Sequence, residues 1–395
     1  MTTTKPAAKG TAGVKNAGQP VHFIPPKNHR FLLLDALRGI AALIVVVFHI
    51  PSPAKAAIAG NGFLAVDFFF CLSGFVIAFS YEKRLAESLS LRDFFVARVI
   101  RLYPVYLLGA MIGLLVLIPT YHFALHANRP WSSWASLFAL ALLLWPTRLS
   151  TVPGTTNFPL NNPAWSLFYE MVANLAYALL IKLRAAGNII LGLIAGLSFA
   201  VLANAVLRGG SLDVGNERIT LGLGFARVAF SFSIGVLIFR LYRSRLHKTE
   251  EGTSHWAPAV IVTIGVVGIL TSPLAGMISG AFRLVAVGVL FPALVYFGAM
   301  VRLPHRFAKV SSVLGELSYP LYLLHWPLVA PLLARRVQQI FAAHAALVPG
   351  IVLTLLAVFA AIAWWIGEHV DLPIRRALTK HYNLIKANRE VAANR

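Results

Sequence analysis

The sequence predicts an all-α integral membrane protein, a bundle of about ten transmembrane helices with both termini cytoplasmic. Three observations lead there. Of 395 residues, 58% are hydrophobic and 12% charged, with a mean hydropathy of +0.73, an apolar excess that a water-soluble globule cannot bury. Apolar runs recur from Phe31 to Gly367 with no polar block long enough for a soluble domain. The basic residues sit at the ends of those runs, so the formal charge of +21 reads as topology. A nucleic-acid surface would interleave basic and aromatic residues in one patch, and no nucleic-acid partner is expected.

Residues 1–30 are rich in Thr, Ala, Gly, Pro and Lys and lack the apolar core of a signal peptide. They read as a flexible cytoplasmic tail. A helix that crosses a bilayer needs roughly 20 mostly apolar residues. Such stretches lie near 31–50, 62–81, 94–118, 164–182 and 188–207, then near 221–241, 257–272, 279–300, 312–333 and 347–367. The membrane domain is therefore 31–370, followed by a basic cytoplasmic tail over 371–395. The apolar stretch Ser133–Leu149 is short and carries Trp145 and Pro146 near its end, which suits an interfacial or re-entrant segment.

With the N-terminus inside, 25 of the 35 Lys and Arg fall on the cytoplasmic side, seven outside and three (Arg38, Arg227, Arg283) within spans. That is the asymmetry the positive-inside rule requires. A full span at Ser133–Leu149 would move Lys182 and Arg184 outside and invert everything after them. Cys71, the only cysteine, lies in an apolar run and offers neither an intrachain disulfide nor a cysteine metal site. No metal and no permanently bound cofactor are expected.

Ionisable residues inside spans are costly and mark functional cavities. In LLLDALRGIAALIVVVFHI, Asp35 and Arg38 share one face near the inner end. His49 lies eleven residues past Arg38, about 16 Å along the axis and close to three whole turns, so the two side chains point the same way at different depths. Asp67 in GFLAVDFFFCLSGFVIAFSY falls in the outer half of the second span, placed to orient or charge His49. Ser73 and Gly74 read as a packing or kink element, since no histidine lies near Ser73 to activate it.

Arg98 and Arg101, at i and i+3 in FFVARVIRLYP, form a two-guanidinium face at the inner surface, suited to phosphate. In NNPAWSLFYE, Pro163 and Trp165 open the fourth span, and Glu170 lies two turns into the outer leaflet, where His49 or a hydroxyl would partner it. In LGELSYPLYLLHWPLV, Glu316 lies near the inner face and His325 near mid-membrane, beside Pro320 and Pro327. Arg283 is an unmatched charge within the eighth span. The map has two poles: Arg38, Arg98 and Arg101 toward the cytoplasm, and His49, Asp67 and Glu170 toward the outside. Coenzyme A suits such a map, with phosphates at one end and a thioester at the tip of a long thin arm.

These motifs resemble the membrane acyltransferase family 3, multispan proteins that acylate carbohydrates and other acceptors. The resemblance covers about 31–370 and rests on LDALRGIAALIVVVFH, VDFFFCLSGFVI, the RVIR pair, WSLFYE and LSYPLYLLHWP, in that order. Ala36 stands where a glycine is frequent and Cys71 where an aliphatic is usual. The resemblance implies that Arg38 and His49 are essential, that Arg98 and Arg101 help hold acyl-CoA, and that the segment holding Trp165, Ser166 and Glu170, together with His325, borders the cavity. Some relatives carry a fused extracytoplasmic hydrolase-like domain after the last helix. The expected activity is O-acyl transfer, by default O-acetyl transfer, from acyl-CoA to a hydroxyl of a glycan or glycolipid. His49 would be the base, Asp67 or Glu170 would support it, and Asp35, Ser73, Trp165, Ser166 and His325 would line the cavity. Ser73, Trp165 and Arg283 are candidate oxyanion donors. Membrane lipids and a second copy of the chain are expected partners, the latter through faces such as Gly109 and Gly113. A bacterial inner membrane is the expected location. The alternative from another class is a secondary transporter or flippase of a sugar or glycolipid, because intramembrane Asp, Arg and His also mark transport pathways.

Overall fold

Helix α1 covers Leu32–His49, and α2 covers Ala65–Glu87 after a 3₁₀ turn at Gly62–Leu64. Then follow α3 Leu91–Pro119, α4 Trp131–Leu142, α5 Ala164–Lys182, α6 Asn188–Leu207, α7 Leu221–Leu246 and α8 Ala257–Thr271. Helices α9 (Gly276–Val285) and α10 (Phe291–Met300) run on through a π turn at Ala286–Leu290. Helix α11 covers Ala308–Val329 and α12 Val348–Ile366, and a second π turn at Gly367–Asp371 leads into α13, Leu372–Ala393. The computed structural model describes residues 31–51, 58–120, 122, 130–147, 156–246, 256–273, 276–329, 339–341 and 343–393. The expected tail over 1–30 lies outside the described residues.

Among the described residues, eight segments are long and apolar enough to cross a membrane. Two stretches expected to span fall outside that set. Helix α8 is apolar but has 15 residues, about 22 Å against a hydrocarbon core of about 30 Å. Helix α11 packs against α1, α3 and α12, and its Ser311, Ser318 and His325 are buried. Helix α4, within the stretch expected to be interfacial or re-entrant, has 12 residues, about 18 Å, too short to cross.

Lipid tails are as apolar as leucine, so helices associate in a bilayer by close packing and hydrogen bonds. Small residues make that possible here. Gly39 lets α1 approach α11, where an added Cβ would lie 2.5 Å from the Leu314 carbonyl oxygen. Helices α2 and α7 close on each other through Gly74 against the Phe232 carbonyl and Gly235 against the Cys71 carbonyl. Gly109 and Gly113, considered for packing within or between chains, receive the segment Leu160–Asn161 of this same chain.

The start of α3 is set by Ser90, whose Oγ accepts from the Asp93 N–H at 3.0 Å. The segment expected as a basic tail is helical from Leu372. It is fastened to the start of α3 by Tyr382, whose hydroxyl donates to Asp93 Oδ1 at 2.6 Å, and by Lys386 Nζ, 2.9 Å from Oδ2.

Candidate functional site

Helices α1, α2, α3, α5 and α11 enclose a mostly apolar cavity of about 340 Å³ with a cluster of charged groups toward the end where α1 begins. Arg38, Arg98, Arg101, Asp35, Ser73 and Glu170 line it there. Arg38 is docked on α11: Nε donates to Ser318 Oγ at 2.9 Å and Nη2 to the Gly315 carbonyl at 2.8 Å, with Asp35 Oδ1 at 3.3 Å. Arg101 lies over the Tyr319 ring, 5.9 Å from its centroid. Tyr319 is held in turn by donating its hydroxyl to the Leu102 carbonyl. These contacts fix the guanidiniums by backbone, hydroxyl and ring, with Asp35 as the carboxylate that pairs with Arg38.

Glu170 departs from its expected place. Its Oε1 accepts from Ser73 Oγ at 2.8 Å and from Arg98 Nη2 at 3.1 Å. It therefore belongs to the arginine end, and it is held by Arg98 rather than set to support His49. Ser73 is accordingly the donor that seats Glu170. Arg98 keeps one buried donor, Nε, with no hydrogen-bond acceptor among the described residues, and a buried donor without a partner is costly.

At the far end of α1, His49 Nδ1 lies 2.9 Å from the Val45 carbonyl oxygen and 3.2 Å from His325 Nε2. His325 Nδ1 lies 3.0 Å from the Leu321 carbonyl oxygen. Carbonyls only accept, so His325 carries its proton on Nδ1 and presents a lone pair at Nε2. His49 Nδ1, facing two acceptors, must then carry a proton, which leaves the basic lone pair of His49 on its own Nε2. His325 is buried, with 1% of its surface exposed. Its neighbour Tyr322, 6.2 Å away between ring centroids, lines the 340 Å³ cavity with Phe69 and Ser166. The Tyr322 hydroxyl and Ser166 Oγ are 2.8 Å apart, and Ser166 Oγ also donates to the Pro163 carbonyl at 3.0 Å. This layer separates the arginine-lined cavity from the histidines.

Asp67 does not orient His49. Its carboxylate is clasped by Arg227 of α7, with Nε to Oδ1 at 3.1 Å and Nη2 to Oδ2 at 2.6 Å. The side chains are 1% and 0% exposed. Arg227 also donates Nη1 to the Val214 carbonyl at 2.7 Å and Nη2 to the Phe63 carbonyl at 3.3 Å. Trp165 lies under this guanidinium, 5.3 Å from ring centroid to Cζ, and does not line the cavity. Arg283 meets an amide and a ring rather than a carboxylate among the described residues: its Nε donates to Asn61 Oδ1 at 2.7 Å, and Cζ lies 5.2 Å from the Phe63 centroid.

Sequence reading overlooked Arg227 as the partner of Asp67 and Tyr322 as the residue between the two ends of the site. Arg227 carried a signal, an arginine inside a span that needed a carboxylate. Tyr322 had none, because a tyrosine one turn from His325 is ordinary on an apolar helix.

Comparison with known proteins places the chain in a family. The chain matches the family model for an acyltransferase domain over residues 31–367. It is 41% identical over 167 residues to Protein 2 in the picA locus of Rhizobium radiobacter, covering 39% of this chain and 83% of that protein. It is 27% identical over 356 residues to BcsY of Komagataeibacter xylinus, named as a membrane-bound transacylase, covering 88% of this chain and 84% of that protein. It is 26% identical over 322 residues to the peptidoglycan O-acetyltransferase OatA of Listeria monocytogenes, covering 75% of this chain and 49% of that protein. The chain thus spans about half of OatA. No solved structure matches. Since the family match runs from the start of α1 to the end of α12 and takes in both ends of the site, the chain belongs to this acyltransferase family and is an integral multipass membrane acyltransferase.

Proposed function

We propose that this protein is a transmembrane O-acyltransferase that moves an acyl group, by default acetyl, from acyl-CoA bound at the arginine end to a glycan or glycolipid hydroxyl brought to His49. The carrying observation is the contact of His49 Nδ1 with His325 Nε2 at 3.2 Å. It supports a reading in which His49 Nε2 is the base and His325 the group that positions it, the part first expected of Asp67. Relatives named as a membrane-bound transacylase and a peptidoglycan O-acetyltransferase support a polymer or lipid-linked acceptor. Both termini are taken as cytoplasmic, so the arginines face the compartment that holds acyl-CoA, and a bacterial inner membrane is the proposed location.

In this reading the donor's phosphates meet Arg98, Arg101 and Arg38, and its thin arm passes through the apolar cavity toward Tyr322. His49 Nε2 removes the proton of the acceptor hydroxyl as the oxygen attacks the thioester carbonyl. The imidazolium so formed is stabilised through Nδ1–H by the lone pair of His325 and the Val45 carbonyl. Collapse of the tetrahedral intermediate breaks the carbon–sulfur bond, and His49 returns its proton to the departing thiolate. Positioned acid–base help of this kind contributes about 10²–10⁴ in rate.

The test is acceptor-dependent release of CoA by the purified protein in nanodiscs. Wild type releases CoA, while His49→Ala binds acetyl-CoA but does not release it. Flux of acceptor across the bilayer without CoA release would instead establish the transporter. No contact among the described residues favours that reading.

A further inference from the structure

Helix α13 forms one wall of a second and larger cavity. It is an open cleft of about 910 Å³ between α13 and the inner halves of α2 and α3, within the usual range for ligand sites. Helix α2 contributes Arg84, α3 contributes Arg98 and Arg101, and α13 contributes Arg375, Arg376 and Lys380, whereas Glu390 is the one carboxylate on its lining. Arg376 and Lys380 are i and i+4 neighbours on one face of α13. Both are exposed and make no ion pair among the described residues. Tyr382 and Lys386, bound to Asp93, brace the helix against α3, so this wall is built into the fold.

The cleft opens on the cavity already described. Val76, Ile77, Ser80, Arg98 and Arg101 line both, so the two arginines stand where the cleft and the apolar cavity meet. A third cavity, of about 450 Å³, also touches Arg38, Arg101, Arg375 and Arg376, but Asp35, Glu316, Glu368 and Asp371 line it too and balance those charges, leaving less net positive potential for a phosphate than the open cleft offers. The open cleft therefore combines clustered guanidiniums, which suit phosphate, with a narrow apolar continuation. Its occupant carries phosphates on a bulky head and a single thin arm. An anionic lipid presents similar phosphate chemistry but brings two chains to a 340 Å³ cavity.

Resting on the acyl-CoA reading above, we propose that α13 is the second half of the donor clamp. Arg376 and Lys380 hold the phosphoadenosine end of the donor while Arg98 and Arg101 hold the phosphates nearer the arm. The site would thereby select a donor with a nucleotide head over one whose acyl-pantetheine arm lacks it.

The experiment is titration of adenosine 3′,5′-bisphosphate and of acetyl-CoA into the full chain in phosphatidylcholine nanodiscs. Arg376→Ala with Lys380→Ala is expected to weaken both at least tenfold. Arg389→Ala, an exposed charge of the same helix that does not line the cleft, is expected to match wild type. Equal affinity in wild type and the double variant overturns the role of α13 while leaving the acyl-CoA reading intact. Equal weakening by Arg389→Ala reduces the effect to bulk charge and also overturns it. Failure of wild type to bind either probe sinks the acyl-CoA reading, and this assignment with it. Repeating the titration in nanodiscs with phosphatidylglycerol separates the phosphate sources. Unchanged affinity supports the nucleotide, whereas affinity lost in wild type but not in the double variant assigns the cleft to lipid headgroups and overturns the proposal.

Discussion

Arg227 and Arg98 both reach a carboxylate inside the bundle, and the structure treats them in opposite ways. Arg227 is fully buried, meets Asp67 with two hydrogen bonds and gives its other donors to the Val214 and Phe63 carbonyls. Such a pair is closed. Arg98 meets Glu170 through Nη2 alone, keeps a buried Nε without an acceptor among the described residues, and borders two cavities. One arginine joins α2 to α7, and the other is available to an anion. An ionisable residue inside a membrane span is thus only the start of a functional argument, and the count of its satisfied donors separates scaffold from site.

Five variants break or sharpen that contrast. The largest effect is expected at the histidine end, where His49→Ala should lower acceptor-dependent CoA release by about 10²–10⁴ while leaving the thermal midpoint in detergent near wild type. His325→Ala should act in the same direction by less, because it removes only the group that positions His49. Full activity in either variant would remove the dyad from the mechanism.

Next is Asp67→Ala, which leaves the Arg227 charge buried and alone. A loss of about 3–5 kcal/mol is expected, read as a lower unfolding midpoint in detergent. A variant that folds normally but turns over slowly would instead move this pair into the site. Third, Arg98→Ala with Arg101→Ala should raise the KM for acetyl-CoA by roughly tenfold or more, since hydrogen bonds to charged groups contribute about 1.5–3 kcal/mol each. A fall in kcat with unchanged KM would place these arginines at the reacting atoms. The smallest change is Tyr322→Phe, which deletes one hydrogen bond to Ser166 and should cost about 0.5–1.5 kcal/mol in unfolding free energy. A loss of activity comparable to that of His49→Ala would make this hydroxyl a catalytic group.

Much of the molecule is legible before folding. Lipid imposes a minimum apolar length on each crossing, so composition and run length alone mark most helices, and the basic flanks set a topology. The separation of Arg38 from His49 is also a sequence property, because one helix carries both and the rise per residue is constant. Charge placement likewise pointed to Arg98 and Arg101, which do line the cavity.

What the chain alone does not determine is which helix face meets which. Asp67 finds Arg227 160 positions away, Glu170 finds Arg98 72 positions back, and His49 finds His325 276 positions on. Each pairing depends on the rotation and depth of two separate helices, set by glycine contacts such as Gly74 with Phe232 and Gly39 with Leu314. The basic stretch after Asp371 likewise becomes the wall of a cleft only because Asp93, far back in the chain, accepts Tyr382 and Lys386. Length, apolarity and charge sign belong to individual segments and survive in the unfolded sequence. Partnership between buried charges is a property of packed pairs, and only the tertiary structure decides it.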